Sequence, residues 1–193
     1  VIHLSEIKNR TGKSLHLDLE PEPDGMLETT TEFVDYFNNY MLDRGAKSIA
    51  QSLNINLDDA NEMIREHFQL CYDVCHFAVG FEKPKEAINR ILNAHINIGR
   101  IQISAALGSG TITSSDDRAM VKDQLQRFDE PTYLHQAVIK KEDNKLDRFP
   151  DLGVALDALD NADYKEIRTH YHVPVFTETY GRLLSTQQDI VDT

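Results

Sequence analysis

Asp73 and His76 are the two residues of this sequence whose types and spacing most directly indicate chemistry. Alternating apolar and polar residues over 69–73 predict a strand, and His76 follows in a predicted loop that ends near Gly80. A carboxylate at a strand end and an imidazole just beyond it can bind one divalent cation, because both are common metal ligands. The alternative is a structural pair, in which a buried aspartate accepts a hydrogen bond from a histidine in a turn.

Three other stretches also carry polar residues on one face and apolar residues on the other. Helical patterns separate them, which favours parallel strands with crossover helices, although an antiparallel sheet exposed on one face gives the same alternation. Polar inward faces on parallel strands indicate a barrel with ligands near the carboxyl ends of its strands. We therefore predict an α/β fold of parallel β/α units, without hairpins between its strands. The predicted strands, neighbours in chain order, are residues 14–20, 69–73, 99–104 and 167–173.

The length of 193 residues suits a single domain, residues 1–193, with 40% hydrophobic content for its core. Four strand-helix units make half of an eight-stranded barrel, so the sequence predicts a partial TIM barrel. Half a barrel leaves two strand edges and much of its apolar interior open to water. We therefore expect either a homo-oligomer or the remainder of a longer chain to cover them.

The formal charge of −12 disfavours binding to phosphate backbones, and we see no local basic patch that would reverse this. No run of apolar residues approaches the length of a membrane span. Two cysteines, Cys71 and Cys75, in a chain of this length do not indicate a disulfide framework. The composition thus predicts a cytoplasmic protein with free thiols that does not bind nucleic acid.

Four residues at or just past the predicted strand ends form a candidate metal set. Glu20, Asp73, His76 and His172 supply two carboxylates and two imidazoles, a mixture that suits Zn²⁺ or Mn²⁺ better than Mg²⁺ or Ca²⁺. The alternative is a hydrogen-bonded polar lumen in which water separates the same side chains. The connector 128–136 is dense in polar and aromatic residues, as loops that build sites often are, although a solvated linker is an equal alternative.

Two of these stretches resemble the xylose isomerase-like superfamily of TIM barrels, which includes sugar isomerases, sugar epimerases and the endonuclease IV type of repair enzyme. The sequence L-E-P-E-P at 19–23 resembles the E-P-K-P strand end of xylose isomerases, which implies a metal ligand at Glu20 and places Glu22 where those enzymes have lysine. The sequence 71–81 is similar to the D-T-C-H-x-F-A-A-G-Y-D signature of endonuclease IV, which implies that Asp73 and His76 bind zinc. Gln102 stands where that family has a ligating histidine.

Five stretches of the chain carry a closer resemblance to another family. They are H-L-D-L-E-P-E-P-D-G, Q-L-C-Y-D-V-C-H-F-A-V-G-F-E, I-Q-I-S-A-A-L, F-D-E-P-T-Y-L-H-Q and H-Y-H-V-P-V-F. They resemble the EboE metabolite traffic family, and the resemblance covers nearly the whole chain. It implies a TIM barrel with a metal site and a role in moving or processing a small metabolite. Further site residues are assigned within this interpretation: Glu22 and His170 as catalytic residues, and Gln102, Arg168, Tyr133 and His135 as substrate-binding residues.

Three classes of function follow from these observations. The first is a metal-dependent enzyme, an isomerase, epimerase or hydrolase of a small polar metabolite. The second is a metabolite-binding or carrier barrel without turnover, which Glu22 and Gln102 favour because both depart from the catalytic pattern. The third, a phosphodiesterase acting on DNA, is disfavoured by the acidic charge.

Overall fold

The computed structural model describes residues Val1–Thr193, which form two β-sheets with helices packed against them. The α-helices are α1 (Ile2–Thr11), α2 (Thr30–Tyr36), α3 (Ala46–Leu53), α4 (Leu57–His67), α5 (Val74–Val79), α6 (Pro84–Asn93), α7 (Ser115–Leu125), α8 (Leu152–Ala158) and α9 (Gln187–Asp192). A π-helical stretch, Phe37–Gly45, joins α2 to α3, and a 3₁₀ turn, Gln126–Phe128, follows α7. No helix combines the length and apolar character that crossing a membrane requires.

The strands divide between a parallel and an antiparallel sheet. The first sheet has the order β1 (Leu17–Leu19), β2 (Phe68–Asp73) and β3 (Ile98–Gln102). The second has the order β6 (Leu146–Phe149), β5 (Ala137–Lys141), β7 (Tyr164–Val173), β4 (Ala105–Gly108), β9 (Leu183–Ser185) and β8 (Thr179–Tyr180).

The first three predicted strands pair in parallel and in the predicted order. Leu17 pairs with Phe68, and Tyr72 pairs with Ile101, so the apolar residues of the strands share one face. Helices cover the central strand on that face, where Leu70 and Tyr72 are buried with aromatic residues of the helices such as Phe33, whereas Leu17 and Ile101 on the outer strands are exposed. The α/β class and the first βαβ connections are therefore confirmed.

The fourth predicted strand does not join this sheet. β7 lies between β4 and β5 and is antiparallel to both, so the prediction that residues 167–173 follow β3 in parallel is wrong. The prediction assumed helical crossovers throughout, whereas β4 begins three residues after β3 and a hairpin of β5 and β6 precedes β7. The alternation of β7 was correctly identified, because Ile167 and Val173 face a buried core. Alternation of this kind is equally typical of an antiparallel strand with one buried face.

Helix α5 joins the two sheets. It begins directly after β2, where the sequence predicted a loop around His76, and all six of its residues are buried. Cys75, Ala78 and Val79 pack with Ala106 of β4 and Val138 of β5, in a small core separate from the two larger ones. The end of the parallel sheet is therefore fixed against the face of the antiparallel sheet.

An ion pair fixes the start of α7 to the β8–β9 hairpin. The guanidinium of Arg182 donates to both carboxylate oxygens of Asp117, with Nη2 2.8 Å from Oδ2. Thr113 also donates to Asp117 through its backbone N–H and its hydroxyl. These bonds, led by that from Arg182, lower the pKa of the buried Asp117 carboxyl.

We expect Asp117→Asn to lower the free energy of unfolding by about 1–3 kcal/mol at pH 7, because the guanidinium loses its charged partner. A carboxyl whose pKa is lowered on folding stabilises the protein above its unfolded pKa of about 4, and that contribution is lost as the pH falls further. The free energy of unfolding, measured with urea, should therefore fall less between pH 7 and pH 3 in the variant than in the wild type. Asp123→Asn is the control, because its pair with Arg127 is exposed and worth less than about 1 kcal/mol. Equal stability of Asp117→Asn and wild type at both pH values would contradict this.

Candidate metal centre

Asp73 ends β2 and caps α5 with the same carboxylate. Its Oδ1 accepts hydrogen bonds from the backbone N–H of Cys75 at 2.8 Å and of His76 at 3.3 Å, and from the Ser104 hydroxyl at 2.6 Å. Such a cap satisfies N–H groups at the start of a helix that lack partners within it. Because these bonds all converge on Oδ1, the second oxygen is left for the neighbouring imidazoles, and Oδ2 lies 3.9 Å from Nε2 of His76.

The ring of His76 is oriented by a backbone carbonyl. Its Nδ1 lies 2.9 Å from the carbonyl oxygen of Pro21, in the turn that follows β1. A carbonyl only accepts, so Nδ1 carries the proton and Nε2 presents a lone pair. His76 is buried, and its Nε2 points towards β7.

Two histidines of β7 lie next to His76. Nε2 of His170 lies 3.1 Å from Nε2 of His76 and 3.2 Å from Nε2 of His172. We call His76, His170 and His172 the histidine cluster. His170 and His172 lie on one face of β7 because side chains two residues apart in a strand point the same way. The cluster thus joins α5, which follows the parallel sheet, to β7 of the antiparallel sheet.

The Nε2 lone pairs of His76 and His170 face each other, because both rings carry their proton on Nδ1. Nδ1 of His170 lies 2.9 Å from Oε1 of Gln136, so it too donates away from the cluster. The Nε2 atoms of His76 and His170 are then both acceptors, and at 3.1 Å they repel unless a proton or a cation lies between them. Burial, followed by the nearby His76 and His172, lowers the pKa of His170 to about 4, so this ring is neutral at pH 7. The neutral imidazole is the form that binds metals.

The spacing of these nitrogen atoms suits a metal ion. Ligands about 2.0–2.1 Å from a tetrahedral zinc ion lie about 3.3–3.4 Å apart, close to the Nε2 separations in the cluster. A donor atom of Asp73, one of His76 and one of His172 all lie within 4.8 Å of one another. A metal-binding histidine usually donates its other ring N–H to a carbonyl or carboxylate, as His76 does to Pro21.

Cys75 and Glu22 each form a further grouping with members of the cluster. Cys75 lies near His170 and His172, but burial and then Asp73 raise the pKa of its thiol well above the usual range. Because the thiolate is the form that binds metals, Cys75 is the weaker candidate. The exposed carboxylate of Glu22 lies within the same 4.8 Å of donor atoms of His76 and His170.

A cavity of about 800 Å³ opens beside the cluster. Tyr133 and His135, predicted to bind substrate, are in its wall, as is the predicted catalytic residue Glu22. The lining residues are Glu22, Glu130, Thr132, Tyr133, Leu134, His135, Gln136, His170, Tyr171 and His172. Residues of the connector 128–136 therefore form part of the cavity wall, and no lysine or arginine lines the cavity.

Three predicted site residues lie elsewhere. Glu20, predicted as a metal ligand, lies 3.4 Å from Nδ1 of His76, on the side of the ring away from the cluster, and accepts a bond from Gln102. Gln102 is thus paired with Glu20 and does not line the cavity. Arg168, predicted to bind substrate, donates to the carbonyl of Ala78 at 2.8 Å and stacks on Phe81. Arg168 therefore lies at the end of α5 and does not line this cavity.

Sequence reasoning did not single out Ser104, the carbonyl of Pro21 or the side chain of Gln136. Each contacts Asp73, His76 or His170 through the tertiary fold, at separations of 31, 55 and 34 residues along the chain. A backbone carbonyl has no signature in the sequence. The short polar residue Ser104, directly after a strand and between apolar residues, is the one signal that was present.

We expect Ser104→Ala to lower the free energy of unfolding by about 1–3 kcal/mol, because a buried carboxylate loses one of its donors. The hydroxyl also accepts from the N–H of Cys75, so the start of α5 is weakened as well. Ser52→Ala is the control, since the Ser52 hydroxyl is exposed and bonds only within its own helix. Urea unfolding of the two variants measures the difference, and equal values would contradict this account of Asp73.

Comparisons with protein-family models, with curated proteins and with solved structures found no match to this chain.

Proposed function

We propose that this protein is a metal-dependent enzyme that processes a small metabolite. One observation carries the proposal: Nε2 atoms of three histidines meet beside the free oxygen of a buried aspartate, with two lone pairs facing each other at 3.1 Å. Two acceptor nitrogens that face each other in this way are stabilised when a cation is bound between them. Three imidazoles and one carboxylate favour Zn²⁺, with Mn²⁺ as the second choice.

His76, His170, His172 and Asp73 would hold the ion, so His170 takes the place predicted for Glu20. A bound divalent ion polarises an oxygen of the substrate or lowers the pKa of a water molecule. Glu22 is the general base in this proposal, because its exposed carboxylate lines the cavity within 4.8 Å of donor atoms of His76 and His170. Pro21 and Pro23 on either side of it are buried, which holds the carboxylate in place.

The same proposal places the chain in the xylose isomerase-like superfamily of barrels, near the EboE family, with isomerisation, epimerisation or hydrolysis as its reaction. Support comes from the parallel order of β1, β2 and β3, with Asp73 at the carboxyl end of the middle strand. The remaining barrel strands would come from a longer chain or from a second copy. A cytoplasmic location accords with free, buried cysteines.

A carrier that binds a metabolite without turnover is the second candidate. The observation that favours it is the pairing of Gln102 with Glu20, since neither side chain is directed at the cluster. Turnover assays on small polyols and their esters, with and without zinc, separate the two. Binding without product formation supports the carrier.

Zinc titration of the wild type should show one tight site. His172→Ala should weaken it on the order of 100-fold or more, because a direct ligand contributes at least as much as the residues that orient ligands. His172 is the best position to change, since it is exposed and its loss leaves no buried cavity. His3→Ala is the control, because His3 is exposed on α1. Absence of zinc binding by the wild type, or equal affinity in the two variants, would rule out the proposed centre.

We expect no tight binding to DNA. The cavity is lined by two glutamates and by no lysine or arginine, so counterion release contributes little affinity there. Fluorescence anisotropy with a duplex containing an abasic site, at about 0.15 M salt, should give a dissociation constant weaker than about 1 μM. Tighter binding would revive a phosphodiesterase function.

A further inference from the structure

Gln136 holds His170 through two separate contacts. Its backbone carbonyl accepts from the backbone N–H of His170 at 2.8 Å, which extends the ladder between β5 and β7 by one residue. Its side-chain Oε1 lies 2.9 Å from Nδ1 of the same histidine. The backbone contact fixes where Gln136 sits, and the side-chain contact acts on the ring.

The side-chain contact decides which ring nitrogen of His170 carries the proton. With Oε1 as the partner, Nδ1 must donate, and Nε2 turns a lone pair towards His76 and His172. With the amide nitrogen of Gln136 as the partner, the proton would move to Nε2, where it would point into the cluster and block a metal. The His170 ring can therefore bind a metal when Oε1 of Gln136 faces its Nδ1, and cannot when the amide nitrogen does.

The neighbouring groups hold the backbone on both sides of this contact. The hydroxyl of Thr169 donates to the carbonyl of Gln136 at 3.2 Å, which strengthens its hold on β7. Nδ1 of His135 contacts the carbonyl of His170 at 3.2 Å, so the backbone of His170 is held from a second side. His76 has no comparable freedom, because a carbonyl oxygen faces its Nδ1.

We infer that Gln136 is a positioning residue, which sets the tautomer and ring orientation of His170 for metal binding. The inference rests on the proposed metal centre for its purpose, but the tautomer is a property of the metal-free protein. Gln136 also lines the cavity beside the histidine cluster.

Two variants separate the chemical role of the side chain from its bulk. Gln136→Leu removes the acceptor and keeps a similar volume. Gln136→Glu keeps an acceptor, and an ionised carboxylate cannot donate to Nδ1. The control is Gln188→Leu, because the side chain of Gln188 is exposed and bonds only to Asp192 on its own helix.

Zinc affinity is the first measurement. Gln136→Leu should weaken zinc binding by about 10–100-fold, the usual effect of removing a group that orients a ligand. Gln136→Glu and Gln188→Leu should stay within about threefold of the wild type, or bind more tightly in the case of the glutamate. Wild-type affinity in Gln136→Leu, or equal weakening in the leucine and glutamate variants, would overturn the inference.

The second measurement uses the metal-free protein and nitrogen NMR of the imidazole rings. The wild type and Gln136→Glu should carry the His170 proton on Nδ1, whereas Gln136→Leu should distribute it over both nitrogens. A proton on Nε2 in the wild type would overturn the inference. If the wild type binds no zinc, the proposed function fails and this measurement alone decides the role of Gln136.

Discussion

The carboxylate of Asp73 performs two tasks that the rest of the structure depends on. One oxygen terminates β2 and starts α5 by accepting two backbone N–H bonds, and the Ser104 hydroxyl fixes the same oxygen. The other oxygen, Oδ2, is free to face the neighbouring imidazoles. Without the cap, α5 would not begin directly at the strand end, and His76 would not be placed one turn away. The same side chain therefore sets local structure and the chemistry of the site.

Helix α5 is short, and its position depends on packing more than on intrinsic helix stability. A helix of six residues is too short to be stable alone in water, so burial of its whole surface must supply its stability. Val138 and Ala106 contact it from the antiparallel sheet, and Arg168 donates to the carbonyl of Ala78 near its end. Arg168 thus bonds to the free carbonyl end of the helix, where a positive charge is favourable. Arg168, which the sequence predicted to bind substrate, thus contributes to the stability of α5.

The sequence predicted correctly which residues lie at the end of a single strand. It did not predict which strands are neighbours in the fold. Asp73, His76 and His172 come together as their types and positions indicated, within 4.8 Å. These three residues were expected at the edge of one parallel sheet, yet His172 lies on β7, a strand of the antiparallel sheet. The alternation of polar and apolar residues is the same in both cases, so it identified the face of β7 but not its neighbours. Glu20 was misplaced because its motif gives the residue type but not the side of the His76 ring on which it lies.

The two rings whose Nε2 atoms face each other are held by partners of different kinds. His76 faces a carbonyl of the main chain, whereas His170 faces the side chain of Gln136. The first acceptor is present whatever amino acid occupies position 21, provided that the turn keeps its shape. The second disappears with a single codon change. Substitutions at position 136 can therefore change the metal affinity of this site far more readily than substitutions at position 21. Among related chains, position 136 is the one at which a change of residue would indicate a change in the site.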